Sequence, residues 1–179
     1  AINFMATHAR GLISLALTES RMRELGLALI TDEQGNSTRF GTAFATPIDA
    51  REGVASGMSA HDRARTIAVA IADGTRPGDV IRPGRLQTLR AVDGGVLARR
   101  GHTEAAVDLA RMAGLKPAGV ICEIMNDDGT MARMPELERF AARHDIRILK
   151  IATLIEYRRH EHVVRRRAAT TLPARTAGS

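Results

Sequence analysis

The chain has 179 residues, of which 44% are apolar, a composition typical of one globular domain and not of a chain that is disordered throughout. No apolar run is long enough to span a bilayer and no secretory signal peptide is visible, so we expect neither membrane insertion nor secretion. The single cysteine, Cys122, excludes an internal disulfide, and these features together favour a reducing cytoplasm.

The formal charge of +6 is concentrated near the C-terminus, where residues 158–179 contain six arginines and one glutamate. The high isoelectric point therefore describes a tail rather than a basic face of the domain. We predict a domain over residues 1–157 and a basic extension or linker over 158–179. Binding of nucleic acid or of an acidic partner would rest on this tail alone and is not expected, since aromatic side chains (3%) offer few platforms for stacked bases.

In chain order, the first half of the sequence predicts alternating elements: helix 2–8, strand 12–17, helix 18–25, strand 43–48 and helix 59–74. Pro47 indicates that strand 43–48 lies at a sheet edge or contains a bulge. Because the sequence begins at Ala1 inside the first predicted helix, we expect further residues upstream.

The helix that Ser59 opens has the strongest capping pattern of the chain, with Asp62 at the third helical position. Arg63 lies in its first turn, where a cation opposes the helix dipole, so this side chain either meets an anion or is solvated. The apolar stripe predicted to face the core consists of Ala64, Ile67, Ala68 and Ile71.

The second half predicts hairpin strands 86–92 and 96–99, helix 103–114, buried strand 118–125, turn 126–129, a helix from Pro135, strand 146–151 and a last helix capped by Thr153. The alternation as a whole predicts an α/β (α+β) fold. We expect a layered domain whose mixed, twisted central sheet is flanked by helices.

The segment Arg99-Arg100-Gly101-His102, directly before the helix that Thr103 is predicted to cap, has the composition of a phosphate site. Free N–H groups at a helix N-terminus, a flanking glycine and two guanidiniums together bind phosphate well. His102 would then contact the molecule that carries the phosphate. The alternative is a solvated loop.

Glu123 is the only charged residue in the apolar run 118–125. A carboxylate buried in such a strand has a raised pKa, which suits a general acid or base at neutral pH; the alternative is a structural ion pair. Cys122 alternates with Glu123 and so is expected to pack in the core. The polar run 126–129 is predicted to be a turn and not a calcium loop, since it lacks the other ligands.

Six motifs, in the same order along the chain up to Tyr157, resemble the 3,4-dihydroxy-2-butanone 4-phosphate synthase family. They are SAxDR at 59–63, RPG at 82–84, DGGVL at 93–97, RxGHTEA at 99–105, PAGVICE at 117–123 and NDDGTMA at 126–132, where x is a position outside the resemblance. The arginine tail is similar to the connector that leads to a GTP cyclohydrolase II half in bifunctional riboflavin enzymes.

The resemblance implies an activity: conversion of D-ribulose 5-phosphate to formate and L-3,4-dihydroxy-2-butanone 4-phosphate in riboflavin biosynthesis, with Mg²⁺ (or Mn²⁺), by a homodimer. It implies that His102 is a metal ligand and that Glu123 is needed for catalysis. It also implies that Arg99, Gly101 and Thr103 contact the substrate. We add Arg100 to these candidate substrate-binding residues, because it belongs to the predicted phosphate segment.

The sequence departs from the family pattern at several positions. The acidic loop that the family has upstream of its first helix is not among these residues, Ser14 stands where many members have Cys, and residues 55–57 read ASG in place of TTG. Arg85 occupies the position of a catalytic histidine, and a guanidinium cannot exchange protons near neutral pH. We therefore count Arg85 with Glu123 among the candidate catalytic positions. The alternative is a diverged or inactive paralogue that keeps the dimer fold.

Overall fold

A computed structural model describes residues 1–32 and 34–168 of the chain. Its four described strands form one sheet in the order β2-β3-β1-β4, with β1 parallel to β3 and the other pairs antiparallel. The strands are β1 (Ser14–Thr18), β2 (Ala43–Ala50), β3 (Val80–Ala91) and β4 (Ala118–Ile121). The predicted mixed sheet of an α/β domain is thus confirmed.

Six described helices flank the sheet: α1 (Ile2–Phe4), α2 (Glu19–Glu24), α3 (Ala60–Ile71), α4 (His102–Met112), α5 (Met134–His144) and α6 (Ile151–Ala168). A π-helical turn, Met5–Ala9, continues α1, and the segments Pro77–Asp79 and Gly95–Leu97 are single 3₁₀ turns. None of the described helices has the length and hydrophobicity that crossing a bilayer requires.

The main core is built on β1, all of whose residues are buried. The strand lies between β3 and β4 and is covered on both faces, which explains its uninterrupted apolar run. Leu15 and Leu17 are fully buried, and full burial of such a side chain contributes about 1.5–3 kcal/mol. Ile48 of β2 and Leu86 of β3 belong to the same cluster.

Two local predictions in the first half are confirmed. The Thr18 hydroxyl caps α2 by accepting a hydrogen bond from the Arg21 N–H (3.2 Å). Strand β2 is an edge strand of the described sheet, and its register with β3 shifts between Ala45 and Ile48, on either side of Pro47. Pro47 therefore lies where the regular hydrogen bonding between β2 and β3 is already interrupted, so the N–H that proline lacks is not needed there.

The predicted buried face of α3 is confirmed only in part, since Ile67 and Ile71 pack against the main core. Ala64 and Ala68 are exposed, whereas the polar residues Asp62 and Thr66 are buried on the opposite side. Both polar side chains accept main-chain hydrogen bonds: the Thr66 hydroxyl accepts from the Ala50 N–H (2.9 Å). A hydrophobic stripe cannot reveal a helix face whose buried groups serve as acceptors for a neighbouring segment.

The N-terminus of α3 confirms Ser59 as the cap, since its hydroxyl accepts a hydrogen bond from the Asp62 N–H (3.0 Å). The Asp62 carboxylate accepts from the N–H groups of Ala55, Ser56 and Gly57. Burial alone would raise the pKa of Asp62, but these hydrogen bonds outweigh it and hold the pKa below its usual value. Asp62 therefore fixes the turn that precedes its own helix.

The predicted hairpin across residues 93–95 is wrong. Residues 95–97 form one 3₁₀ turn, and the Val96 N–H donates to the buried Asp108 carboxylate of α4 (2.9 Å) and not to a facing strand. Val96 itself is fully buried against Leu154 and Ile155 of α6. Asp108, twelve positions later in the chain, thus accepts the hydrogen bond from the Val96 N–H that hairpin pairing would have used.

Two further predictions fail near the C-terminus. Residues 146–150 form no strand, because they pair with none of the described strands, and Ile146 and Ile148 are largely exposed. Helix α6 begins at Ile151, so Thr153 lies inside it and does not cap it. The predicted helix from Pro135 is present as α5.

Arg158, the first residue of the predicted basic extension, lies within α6. Its side chain is only 18% exposed, and its Nε lies 3.5 Å from Oδ2 of Asp108. Residues 169–179 of that extension lie outside the described residues, and the boundary after residue 157 remains a prediction.

Candidate active site

A cavity of about 460 Å³ lies where the N-terminus of α4 meets the start of β1 and the loop before β2. Its volume is within the range of small-molecule sites. It is lined by Leu12, Ser14, Phe40, Thr42, Phe44, Leu89, Arg99, Arg100, Gly101, His102, Thr103, Ile121 and Glu123. The structure thus brings the predicted phosphate segment and the predicted catalytic carboxylate to one cavity.

Helix α4 begins one residue earlier than predicted. Gly101 is its N-cap, His102 is its first residue, and Thr103 is buried in the first turn and does not cap the helix. Among the residues that the structure describes, no side chain caps this N-terminus, so its first N–H groups remain available to an anion. A side chain at Gly101 would collide with the ion pair between Arg99 and Glu104.

Arg99 is held in place by residues of the cavity wall. Its Nη1 donates to the Glu104 carboxylate (2.6 Å), and its Nη2 donates to the Phe40 carbonyl oxygen (2.9 Å) and the Thr42 hydroxyl (3.1 Å). Its Nε donates to the same carbonyl oxygen (3.3 Å). These contacts engage most of its donors, so Arg99 shapes the cavity more than it binds a ligand.

Two fully buried acids one helical turn apart, Glu104 and Asp108, anchor the segment that carries Arg99. Glu104 accepts a hydrogen bond from the Val92 N–H (3.0 Å), and Asp108 accepts one from the Val96 N–H. Neither acid was expected to anchor this segment. The signal that could have indicated this role is their spacing of four residues, which places both acids on one face of a helix, together with the glycines at 95 and 101.

Arg100 and His102 differ from Arg99 in being exposed. Within the described residues, neither side chain has a hydrogen-bond or ion-pair partner, and both line the cavity. They are therefore the groups that can turn toward a bound anion or metal ion.

The predicted burial of Glu123 is wrong. Strand β4 ends at Ile121, so Glu123 lies beyond the strand and its side chain is exposed to the cavity. Its Oε2 accepts a hydrogen bond from the Leu12 N–H (2.8 Å). Cys122 is half-buried against the main core, as predicted, and burial raises the pKa of its thiol.

Arg85 does not line this cavity. Its main-chain N–H donates to Oδ1 of Asp49 (3.0 Å) and its Nη1 to Oδ2 (2.7 Å). Asp49 is buried, whereas the Arg85 side chain is 53% exposed. Arg85 thus neutralises a buried carboxylate beside the turn at Gly57, where a Cβ would collide with the Asp49 carboxylate. The buried Nε of Arg63 has no hydrogen-bond partner in the described part of the chain, so the choice between an anion and solvent for this side chain stays open.

A divalent cation has few protein ligands here. No group of three or more His, Cys, Asp or Glu side chains converges among the described residues. His102 is the imidazole that faces the cavity. This donor set fits a magnesium ion that takes most of its ligands from substrate and water, as Mg²⁺ commonly does.

The sequence matches the profile of the 3,4-dihydroxy-2-butanone 4-phosphate synthase family over residues 1–157. It is 55% identical over 172 residues to the enzyme of that name from Pseudomonas aeruginosa, covering 96% of this chain and 47% of that protein. It is 51% identical over 155 residues to the enzyme of that name from Klebsiella pneumoniae, covering 87% and 70%. The chain thus spans about half the length of several curated relatives that it matches.

Solved structures of synthases with that name are also similar. The two-domain enzyme from A. baumannii has a TM-score of 0.82 at 50% identity, covering 88% of this chain and 46% of that one. A structure in complex with two magnesium ions has a TM-score of 0.82 at 38% identity, covering 87% and 77%.

Proposed function

The chain belongs to the 3,4-dihydroxy-2-butanone 4-phosphate synthase family, and from this premise we propose that it converts D-ribulose 5-phosphate to L-3,4-dihydroxy-2-butanone 4-phosphate and formate. The atoms balance without a second substrate, since the five carbons of the ketose leave as four and one. The observation that carries the proposal is one cavity shared by the N-terminus of α4 and the Glu123 carboxylate.

The phosphate group of the substrate binds at the N-terminus of α4. The uncapped N–H groups there and the free guanidinium of Arg100 supply positive charge and donors to its oxygens. Arg99 adds a guanidinium N–H that its hydrogen bonds with Glu104 and Phe40 do not use. Binding at this end directs the rest of the sugar into the cavity toward Glu123.

Glu123 carries protons during the reaction. A carboxylate beside the sugar can remove the proton next to the ketose carbonyl, which gives an enediol, and can return a proton later in the rearrangement. Its exposure to the cavity lets it reach the substrate. Ser14 lies on the same wall, where its hydroxyl can contact a substrate oxygen.

His102 would hold the divalent cation, Mg²⁺ or Mn²⁺. When bound, the ion would polarise the carbonyl and hydroxyl oxygens of the sugar. The structurally similar synthase solved with two magnesium ions supports a divalent cation as the cofactor.

We also propose that the enzyme acts as a homodimer in the cytoplasm. Arg85 does not line the cavity that holds Glu123, so a role for Arg85 in the reaction requires a second copy to bring it there. Large apolar side chains that remain exposed, such as Leu115 and Leu149, are available to an interface.

The proposed function is tested by incubating the protein with D-ribulose 5-phosphate and Mg²⁺ and measuring formate. We expect one formate per substrate consumed, loss of turnover with a chelator, and recovery when Mg²⁺ or Mn²⁺ is added back. Absence of formate, together with absence of a heat of binding in calorimetry, would contradict the proposal.

The alternative, an inactive relative that keeps the fold, rests on Arg85 alone. The relatives reported above carry the name of the active synthase, and none of them favours this alternative. Formate release by the unaltered protein at a steady rate would exclude it.

A further inference from the structure

We propose that the main chain of Gly11 and Leu12 positions the Glu123 carboxylate, which makes these two residues positioning residues for the reaction. The inference rests on the proposed function, in which Glu123 carries protons. It goes beyond that function because neither residue was expected to act in the site.

The first observation is a bulge between the two chain segments that meet at Glu123. Strand β1 pairs with β4 in a register that sets Ser14 opposite Ile121, and an isolated bridge sets Arg10 opposite Ile124. Three residues, 11–13, therefore lie against two, 122–123. A bulge of this kind bends a strand and redirects a side chain, and bulges are frequent beside active sites.

The second observation is the hydrogen bond that the bulge creates. The Leu12 N–H is not used in the ladder and donates to Oε2 of Glu123 at 2.8 Å. The side chain of Leu12 is 51% exposed, so burial does not hold this residue in place. In the described part of the chain, Oε1 of Glu123 accepts no hydrogen bond, which leaves this oxygen for the substrate.

The third observation is the space around Gly11. A Cβ on Gly11 would lie 2.7 Å from Oε2 and 2.8 Å from Cβ of Glu123, and closer still to the Glu123 carbonyl oxygen. Gly11 does not have a positive φ, so the requirement for glycine here comes from space and not from backbone conformation. Only a residue without a side chain lets the main chain approach Glu123 this closely.

The consequence is a carboxylate fixed at one oxygen and free at the other. A side chain held in this way loses little conformational freedom when the substrate binds, and correct orientation of a catalytic group accounts for a large part of a rate enhancement. Because the phosphate end of the substrate binds at α4, loss of this orientation would lower kcat and leave KM nearly unchanged.

The experiment compares Leu12→Pro with Leu12→Ala. Both variants shorten the side chain that lines the cavity, but only proline lacks the N–H that holds Glu123. We expect kcat for formate release to be about 10–100-fold lower in Leu12→Pro than in Leu12→Ala, with KM values within about threefold of each other. Equal kcat values in two folded variants would overturn the inference.

A second pair covers the case in which Leu12→Pro does not fold. Gly11→Ala is compared with Gly78→Ala, because a Cβ on Gly78 meets no atom within 4 Å. We expect a lower kcat for Gly11→Ala and wild-type kinetics for Gly78→Ala. Wild-type kcat in Gly11→Ala would contradict the inference.

A third readout does not depend on turnover. With carboxyl-¹³C-labelled glutamate, the NMR signal of Glu123 is identified as the one missing in Glu123→Gln. We expect its chemical shift to move in Leu12→Pro but not in Leu12→Ala; an unmoved signal in both would overturn the positioning role. If the unaltered protein releases no formate, the proposed function fails, while this measurement still decides whether Leu12 holds the carboxylate.

Discussion

Arg85 and Asp49 form a contact outside the cavity that holds Glu123. The guanidinium holds a buried carboxylate through its side chain and its main-chain N–H, at a position where the family resemblance expects a histidine. A histidine could also donate to Asp49, and unlike arginine it could exchange a proton near neutral pH.

We therefore expect Arg85→His to raise kcat for formate release by about tenfold or more, since general acid–base catalysis contributes on the order of 10²–10⁴. Arg85→Lys is the matched control: it keeps the charge beside Asp49 and should give no such gain. An unchanged kcat in Arg85→His would show that position 85 does not limit the reaction in this chain.

The two neighbouring arginines of the cavity should respond differently to removal. Arg99→Ala leaves the fully buried Glu104 without its cation, so we expect the free energy of unfolding to fall by about 2–3 kcal/mol in urea titrations. Arg100→Ala removes an exposed group, so unfolding should change by less than about 0.5 kcal/mol. Its KM for ribulose 5-phosphate should instead rise about tenfold or more. Equal effects of the two variants on stability would contradict this division of roles.

At the scale of elements, α3 and the turn before it depend on a single carboxylate. The pKa of Asp62 is lowered by the N–H groups of residues 55–57 and by Ser59, so its ionised form stabilises the fold at neutral pH. This stabilisation is complete above the pKa of the unfolded chain, near 4, and is lost as the pH falls through the lower folded value.

Asp62→Asn should therefore lower the thermal midpoint at pH 7, and its difference from wild type should shrink below about pH 4. Asp73→Asn is the control, because that carboxylate is exposed and pairs with Lys116 on the surface. Melting curves from pH 2 to 8, followed by circular dichroism, test the expectation. A difference between wild type and Asp62→Asn that stays constant over this range would contradict it.

Signals within a few residues predicted the elements well. The Thr18 and Ser59 caps, the bulge at Pro47 and the helix from Pro135 all depend on neighbours in sequence, and all are present. The segment proposed to bind phosphate was recognised in the same way, because a helix N-terminus beside glycine and arginine is a local feature, and it does line the cavity.

The predictions that failed depend on distant residues. The hairpin at 93–95 fails because Asp108 captures the Val96 N–H, and the burial of Glu123 fails because the last ladder pair of β4 joins Ile121 to Ser14. The stripe on α3 fails at Ala64 and Ala68, because the Thr66 hydroxyl on the opposite side accepts a hydrogen bond from the Ala50 N–H of β2. A single sequence does not show which acceptor a main-chain amide will find across the fold.

At the scale of the whole molecule, α6 is joined to α4 through Arg158 and Asp108. The carboxylate is fully buried and the guanidinium nearly so, although their atoms at 3.5 Å form an ion pair without an aligned hydrogen bond. The contact links the last described helix to α4, whose N-terminus is the proposed phosphate site. It also lies just beyond residue 157, where the predicted domain ends.

We expect Arg158→Ala to lower the free energy of unfolding by about 1–3 kcal/mol, because Asp108 loses a buried counter-charge. Arg159→Ala, one residue further along and exposed, should change it by less than about 0.5 kcal/mol. Urea titrations of the two variants test this expectation. Equal stabilities would show that α6 is held by its apolar side chains alone.

The pair of buried acids on α4 has a consequence for how the cavity opens. Glu104 and Asp108 accept hydrogen bonds from the N–H groups of Val92 and Val96, which lie on the segment leading to Arg99. Neither amide can meet solvent unless the helix itself moves away, so deuterium should enter both at one common rate. The segment before Arg99 and helix α4 should therefore open together in one cooperative step, so the proposed phosphate end of the cavity would not open residue by residue.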